Sequence, residues 1–257
     1  MTNYNPIIEV IEEAYYIAEF DTTRKISALL PYDYYESEKH YAVLYLQDGQ
    51  NLFNPHAPFG DWAIDKSLAI LAQDGYKDLI IIAIDHGDEK RTSEYLPYKH
   101  SKYGEGQGKS YINFMREKLI PYVNNKYRVL TDYADTGIGG SSMGGLISLY
   151  GGLKHPEIFG KLMVFSPSLW IAKKIYKEAK KFTPRTDTKV YVYAGGKESK
   201  THLNNVLRLE GIFKDKISDD AFFDMEVKIN PTGKHSEWYW AQEFPKAVKW
   251  LFYDKRF

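Results

Sequence analysis

Six short apolar runs, each bounded by turn residues and followed by a stretch of helical spacing, constrain this chain more than any other feature. The runs are YAVLYLQD (41–48), LIIIAID (79–85), TGIGGSS (136–142), KLMVFSP (161–167), KVYVYAG (189–195) and FFDMEVKIN (222–230). They have strand length and are mostly rich in β-branched and aromatic residues. Helical patterns cover 62–75, 110–127, 143–156, 169–182, 201–217 and 236–253. Ser110 reads as a cap, Gly75 as a stop, and Pro121 as a bend or restart inside the second pattern. Two more strand-like runs, 13–21 and 24–32, adjoin each other as a hairpin would. Strands alternating with helices build a mostly parallel sheet covered by helices on both faces. The early hairpin is expected to supply antiparallel edge strands. One α/β domain over residues 1–257 is the expected organisation. In such a sheet, ligands bind beyond the carboxyl ends of the strands.

Composition narrows the function. The chain has 257 residues, 44% of them hydrophobic, enough for a sizeable core. Its 34 basic residues balance its 34 acidic ones, and no basic block stands out. The electrostatic footprint of a nucleic-acid binder is therefore missing. The absence of cysteine excludes disulfides, thiolate metal ligands and a cysteine nucleophile. The first residues, MTNYNPIIEVIEEAYY, carry neither the basic nor the apolar segment of a signal peptide. The longest strongly apolar run, 79–84, is too short to span a bilayer. A cytoplasmic protein without a membrane span is expected; a secreted or periplasmic chain whose leader had been removed would read the same. Nothing in the sequence speaks to oligomeric state.

The segment TGIGGSSMGG lies where a buried strand meets a helix. Gly140-Ser141-Ser142-Met143-Gly144 fits G-x-S-x-G centred on Ser142. The pattern is steric: the serine sits on a sharp, strained turn, and the residues two before and two after it crowd the backbone. Centring on Ser142 places glycine at both crowded positions, whereas centring on Ser141 places Met143 at one. Ser142 is thus the candidate nucleophile. A phosphate-binding loop would need Gly-Lys-Ser/Thr at a defined offset; GQGKS (106–110) lacks both the preceding strand and the first glycine. The dinucleotide fingerprint fails at Ser142, where its third glycine would stand.

A neutral hydroxyl needs a base, and the base needs an orienting acid. In this strand–turn–helix context the chain order is serine, acid, histidine. Three histidines follow Ser142. His155 stands at a helix end before Pro156, and His202 in the first turn of a helical run. His235 stands in the loop between the last strand and the last helix, the correct edge of the sheet. Glu198 follows the strand 189–195 on that same edge, and a solvated or capping carboxylate is its plainer reading. Asp187, Asp219, Asp220 and Asp224 fall at amino ends of strands. The oxyanion of a tetrahedral intermediate requires two backbone N–H donors. Met143 should give one and Gln50, in YLQDGQNLF, the other, with Gly49 allowing close backbone approach. Asp48 is expected to be structural and to point away. RTSEYLPY (91–98) follows the strand ending at Asp85 and could reach the rim of the site; a simple pairing of Arg91 with Glu94 is its plainer reading. Trp170 and Trp238 either wall the substrate pocket or pack as core residues. HGDE (86–89) is too short and sequential to enclose a metal, so no metal or cofactor is expected.

The segments YLQDGQNLF, GIGGSSMGGLISLYGGLKHPEIFGKLMVFSPSLW, VYAGGKES and GKHSEWYW resemble the putative esterase family of α/β-hydrolases. That family includes S-formylglutathione hydrolases, feruloyl and acetyl-xylan esterases, siderophore esterases and mycolyltransferases. The resemblance runs from about residue 25 to the end. It implies an α/β-hydrolase fold, a Ser142–Glu198–His235 triad and oxyanion donors at Met143 and Gln50. Many relatives carry His-Gly where this chain has Asp48-Gly49, and Asp where it has Glu198. The expected activity is serine carboxyl-ester hydrolysis through an acyl-enzyme, on a sugar-linked or other small acyl ester. An acyltransferase on the same triad and a non-catalytic binding protein on this scaffold are the alternatives.

Overall fold

The structure is a computed structural model describing residues 3–185, 187–217 and 223–253. Eight strands form one sheet: β1 (Ile7–Ile17), β2 (Thr22–Leu30), β3 (Ala42–Gln47), β4 (Leu79–Ile84), β5 (Thr136–Ser141), β6 (Lys161–Phe165), β7 (Lys189–Gly195) and β8 (Asp224–Asn230). Their spatial order is β1-β2-β4-β3-β5-β6-β7-β8. β2 pairs antiparallel with both β1 and β4, and the remaining pairs are parallel. The hairpin thus forms the antiparallel edge expected of it, but its first strand starts earlier, at Ile7. Residues 18–21 turn the chain instead of extending it, because the amides of Phe20 and Asp21 bond back to the carbonyls of Ile17 and Ala18.

Eight helices accompany the strands among the described residues: α1 (Ile64–Gln73), α2 (Arg91–Tyr95), α3 (Gly108–Phe114), α4 (Ile120–Lys126), α5 (Met143–Lys154), α6 (Ile175–Lys181), α7 (Lys200–Lys214) and α8 (Glu237–Val248). Strand alternation divides the core into two layers. Val43 and Tyr45 of β3, with Ile80, Ile82 and Ile84 of β4, face the layer filled from α3, α5, α6 and α7. Leu44 and Leu46, with Leu79, Ile81 and Ala83, face the layer filled from α1 and α8. All six residues of β4 are buried, as expected of a strand covered on both faces.

Proline and local geometry explain the departures from the predicted helices. A single π-turn, Met115–Leu119, joins α3 to α4. Pro121 supplies no N–H to the carbonyl of residue 117, and the wider turn accommodates that gap without breaking the rod. The pattern over 169–182 splits into a one-turn 3-10 helix, Leu169–Ile171, and α6, because Ala172 leaves helical geometry at φ −131°, ψ 53°. The pattern over 236–253 ends in a π-turn at Lys249–Tyr253. α2 was not predicted. Phe222 of the run 222–230, and Asp219 and Asp220, lie outside the described residues.

Candidate active site

The central strand β5 runs into α5 through Ser142, which holds φ 57° and ψ −118°. A non-glycine residue in this region is strained and persists only where its surroundings hold it. Ser142 N–H donates to the Phe165 carbonyl at 2.9 Å, and its own carbonyl accepts from Ser168 and Leu146 at 3.0 Å each. A Cβ on Gly140 would lie 3.0 Å from the Gly144 backbone and from Gln47 Cβ. One on Gly144 would lie 2.8 Å from Asp48 Oδ2. The two positions flanking Ser142 are therefore as crowded as the steric reading requires.

Three remote segments meet above this turn. Ser142 Oγ lies 3.0 Å from His235 Nε2, and His235 Nδ1 lies 2.6 Å from Glu198 Oε2. Adjacency in the sheet explains the meeting. β5, β6, β7 and β8 are successive parallel neighbours, so the chain leaves each of them at the same edge. Ser142 follows β5, Glu198 follows β7, and His235 follows β8. A His ring nitrogen facing a carboxylate carries the proton, which leaves Nε2 free to accept from the Ser142 hydroxyl.

Glu198 is tightly held. Its Oε1 accepts from Ser166 Oγ at 2.6 Å and from Gly195 N–H at 2.8 Å. Burial alone would raise its pKa. The bonds from His235 and Ser166, the nearby His202 and the Gly195 amide outweigh burial and hold it below the usual glutamate value. Ser166 is fully buried, sits at φ 43°, and accepts from Trp240 Nε1 at 2.9 Å. Ser168 Oγ stands 3.3 Å from Ser142 Oγ. The turn after β6 thus touches Glu198 at one end and Ser142 at the other. Neither Ser166, Ser168 nor Trp240 was singled out from the sequence. The available signal was topological: a turn after β6 must lie between those after β5 and β7.

Ser142 and His235 open onto a cleft of about 720 Å³ lined also by Asp48, Asn51, Phe59, Arg91 and Trp240, among others. Asp48 is one of the lining residues, and its largely buried carboxylate is held by a bidentate pair with Arg91, Nε to Oδ1 at 2.6 Å and Nη2 to Oδ2 at 2.8 Å. The segment that begins at Arg91 thus reaches the rim of the site, Arg91 and Glu94 do not pair with each other, and Glu94 makes a buried ion pair with Arg24. Met143 opens α5 directly after Ser142, and Gln50 sits in the single 3-10 turn Gly49–Asn51 after β3. β3 and β5 are sheet neighbours, so these two turns lie side by side. The Gln50 side chain exchanges two hydrogen bonds with the backbone of residue 86, at 3.1 and 3.0 Å. Trp170 and Trp238 are 49% and 63% exposed and stand outside the cleft lining. The aromatic residues that line it are Phe59 and Trp240. His155 caps α5 beside Glu157, away from the triad. His202 is buried on α7, with Nε2 3.4 Å from Glu198 Oε2. Among the described residues, no three His, Asp or Glu side chains gather as metal ligands would, and no helix is long and apolar enough to cross a membrane.

The sequence profile of the Putative esterase family matches residues 17–251. The chain belongs to that family. By reaction class this esterase is a carboxylic ester hydrolase. It is 25% identical over 247 residues to the uncharacterised protein YbbA of Bacillus subtilis (strain 168), an alignment covering 91% of this chain and 94% of that one. Among solved structures, a ferulic acid esterase superposes with a TM-score of 0.73 at 18% identity, over 97% of this chain and 98% of the other. The BES protein from Bacillus cereus superposes with a TM-score of 0.73 at 17% identity, over 99% and 96%. The enterobactin and salmochelin hydrolase IroE superposes with a TM-score of 0.72 at 15% identity, over 97% and 96%. At these identities the likeness is one of fold, that of the α/β-hydrolase esterases.

Proposed function

We propose that this esterase is a serine hydrolase working through an acyl-enzyme. Ser142 Oγ attacks the ester carbonyl carbon while His235 Nε2 takes its proton. The tetrahedral oxyanion is held by the backbone N–H groups of Met143 and Gln50. The intermediate collapses as the C–O bond to the alcohol breaks, and His235 returns the proton to the departing oxygen. Water then attacks the acyl-Ser142 ester by the same route, releasing the acid and restoring the serine. Glu198 keeps the His235 ring oriented and stabilises the imidazolium.

The single observation that supports this most is the unbroken hydrogen-bond chain from Ser142 through His235 to Glu198, at 3.0 and 2.6 Å, at the mouth of an open cleft. The His235 side chain is 44% exposed. Water therefore has access to the base, which favours hydrolysis over transfer to a second alcohol. The substrate is a sugar-linked or other small acyl ester, as the ester-cleaving relatives suggest. Hydrolysis of p-nitrophenyl acetate by wild type and Ser142→Ala tests the reading. The expected loss on substitution is at least about 10³-fold. Equal rates would remove the serine mechanism, and an added alcohol acceptor that diverts the acyl group into a new ester would favour a transferase.

A further inference from the structure

A carboxylate has about four lone-pair sites, two on each oxygen. In Glu198, Oε1 is filled by Ser166 Oγ and the Gly195 amide. Oε2 takes His235 Nδ1, and the remaining side of the same oxygen faces a second imidazole. That imidazole belongs to His202, four residues along the chain on the first turn of α7. Its side chain is only 9% exposed, and its Nε2 is buried 3.4 Å from Oε2 without meeting the geometry of a hydrogen bond. Beside a carboxylate oxygen, the Nε2 of a neutral imidazole must be the nitrogen that carries hydrogen, because two acceptors would repel. Its backbone N–H is capped by Ser199 Oγ at 3.0 Å, which fixes the residue's place at the start of α7.

We propose that His202 is a positioning residue for the triad acid: its Nε2–H, 3.4 Å from Glu198 Oε2, presents a positive dipole to the last open side of that oxygen and favours the carboxylate orientation that serves His235. This rests on the reading of Glu198 and His235 as acid and base given above. Without His202, the N–H dipole beside a buried, charged oxygen is lost and the carboxyl group is freer to turn. More of its charge also falls on His235, which favours the imidazolium. The other ionisable groups that bear on this trio are few. Tyr193 of β7 stands in the field of Glu198, and Glu237 at the start of α8 in that of His235. Arg208, further along α7, lies over the Tyr176 ring of α6. Glu237 lies beside His235 and acts on it in wild type and variants alike, so a change at position 202 is read against a constant background.

The test compares His202→Phe, which fills the space without a donor, with His202→Gln, whose amide nitrogen reaches the place of Nε2. On the p-nitrophenyl ester, His202→Phe should lower kcat about tenfold with little change in KM. The acid limb of its kcat/KM profile should move upward by roughly half a pH unit. His202→Gln should return both toward wild type. Titration of the His235 ring followed by NMR should show the same shift directly, whether or not the ester is turned over. If His202→Phe does not fold, His202→Gln against His202→Asn, whose amide is too short to reach Oε2, gives the same comparison. An unchanged kcat and acid limb in folded His202→Phe would overturn the proposal, as would a Gln variant no better than Phe. Loss of Ser142-dependent hydrolysis in the wild type would instead strike the parent reading, while the His235 titration would still report on His202.

Discussion

Ser166 shows how much the candidate site asks of one small side chain. Its hydroxyl donates to Glu198 Oε1 at 2.6 Å and accepts from Trp240 Nε1 at 2.9 Å, while its backbone sits at φ 43°. A larger residue here would have to adopt a strained positive φ in a fully buried place and still make both bonds. Two substitutions separate its tasks. Ser166→Ala keeps the strain and leaves a buried indole N–H and a carboxylate oxygen short of partners, at a cost of about 1–3 kcal/mol in unfolding free energy. Ser166→Gly also loses the hydroxyl but relaxes the backbone, so it should unfold later than the alanine variant. Ester hydrolysis should fall equally in the two, because both lose the bond to Glu198. Denaturant unfolding and steady-state kinetics on the pair check this; equal stability would mean that the turn carries no strain.

Among elements, α2 is the piece that sequence periodicity did not mark and the cleft depends on. Its five residues supply Arg91 to Asp48 and Glu94 to Arg24 of β2. Both side chains of the second pair are under a tenth exposed, and Glu94 Oε2 has no further partner. Removing one member of such a pair is far costlier than removing both, because it strands a charge in a place water cannot reach. Arg24→Met should therefore lose about 3–5 kcal/mol of stability, with Arg24→Met/Glu94→Leu recovering most of it. Urea unfolding of the two variants measures the difference. A double variant as unstable as the single one would show that packing, not charge, is what Arg24 contributes.

Across the whole molecule, the buried carboxylates set opposing pH trends. Glu198 lies below its ordinary pKa, so its contribution is present above the unfolded value and is lost as pH falls through the folded one. Asp85, at the end of β4, is the reverse: burial, with Asp88, Glu13 and Asp48 near it and Lys25 only partly compensating, pushes it up to about 6. The folded chain holds that proton between the unfolded value and about 6, so stability falls as pH rises through this window and the penalty is complete above it. Asp85→Asn should raise the melting temperature near pH 8 and lose that advantage near pH 4; thermal melts at the two values decide it. The same scale separates what could be read in one dimension from what could not. Strand and helix periods and the crowded glycines about Ser142 are local properties, and the order of Ser142, Glu198 and His235 can be read along an extended chain. The Asp48–Arg91 clamp joins residues 43 apart, and the Trp240–Ser166–Glu198 relay joins residues 74 and 32 apart. Which of them meet is decided when the sheet places β4 beside β3 and lines up β5 to β8, because strand order, and not spacing along the chain, chooses whose loops share an edge.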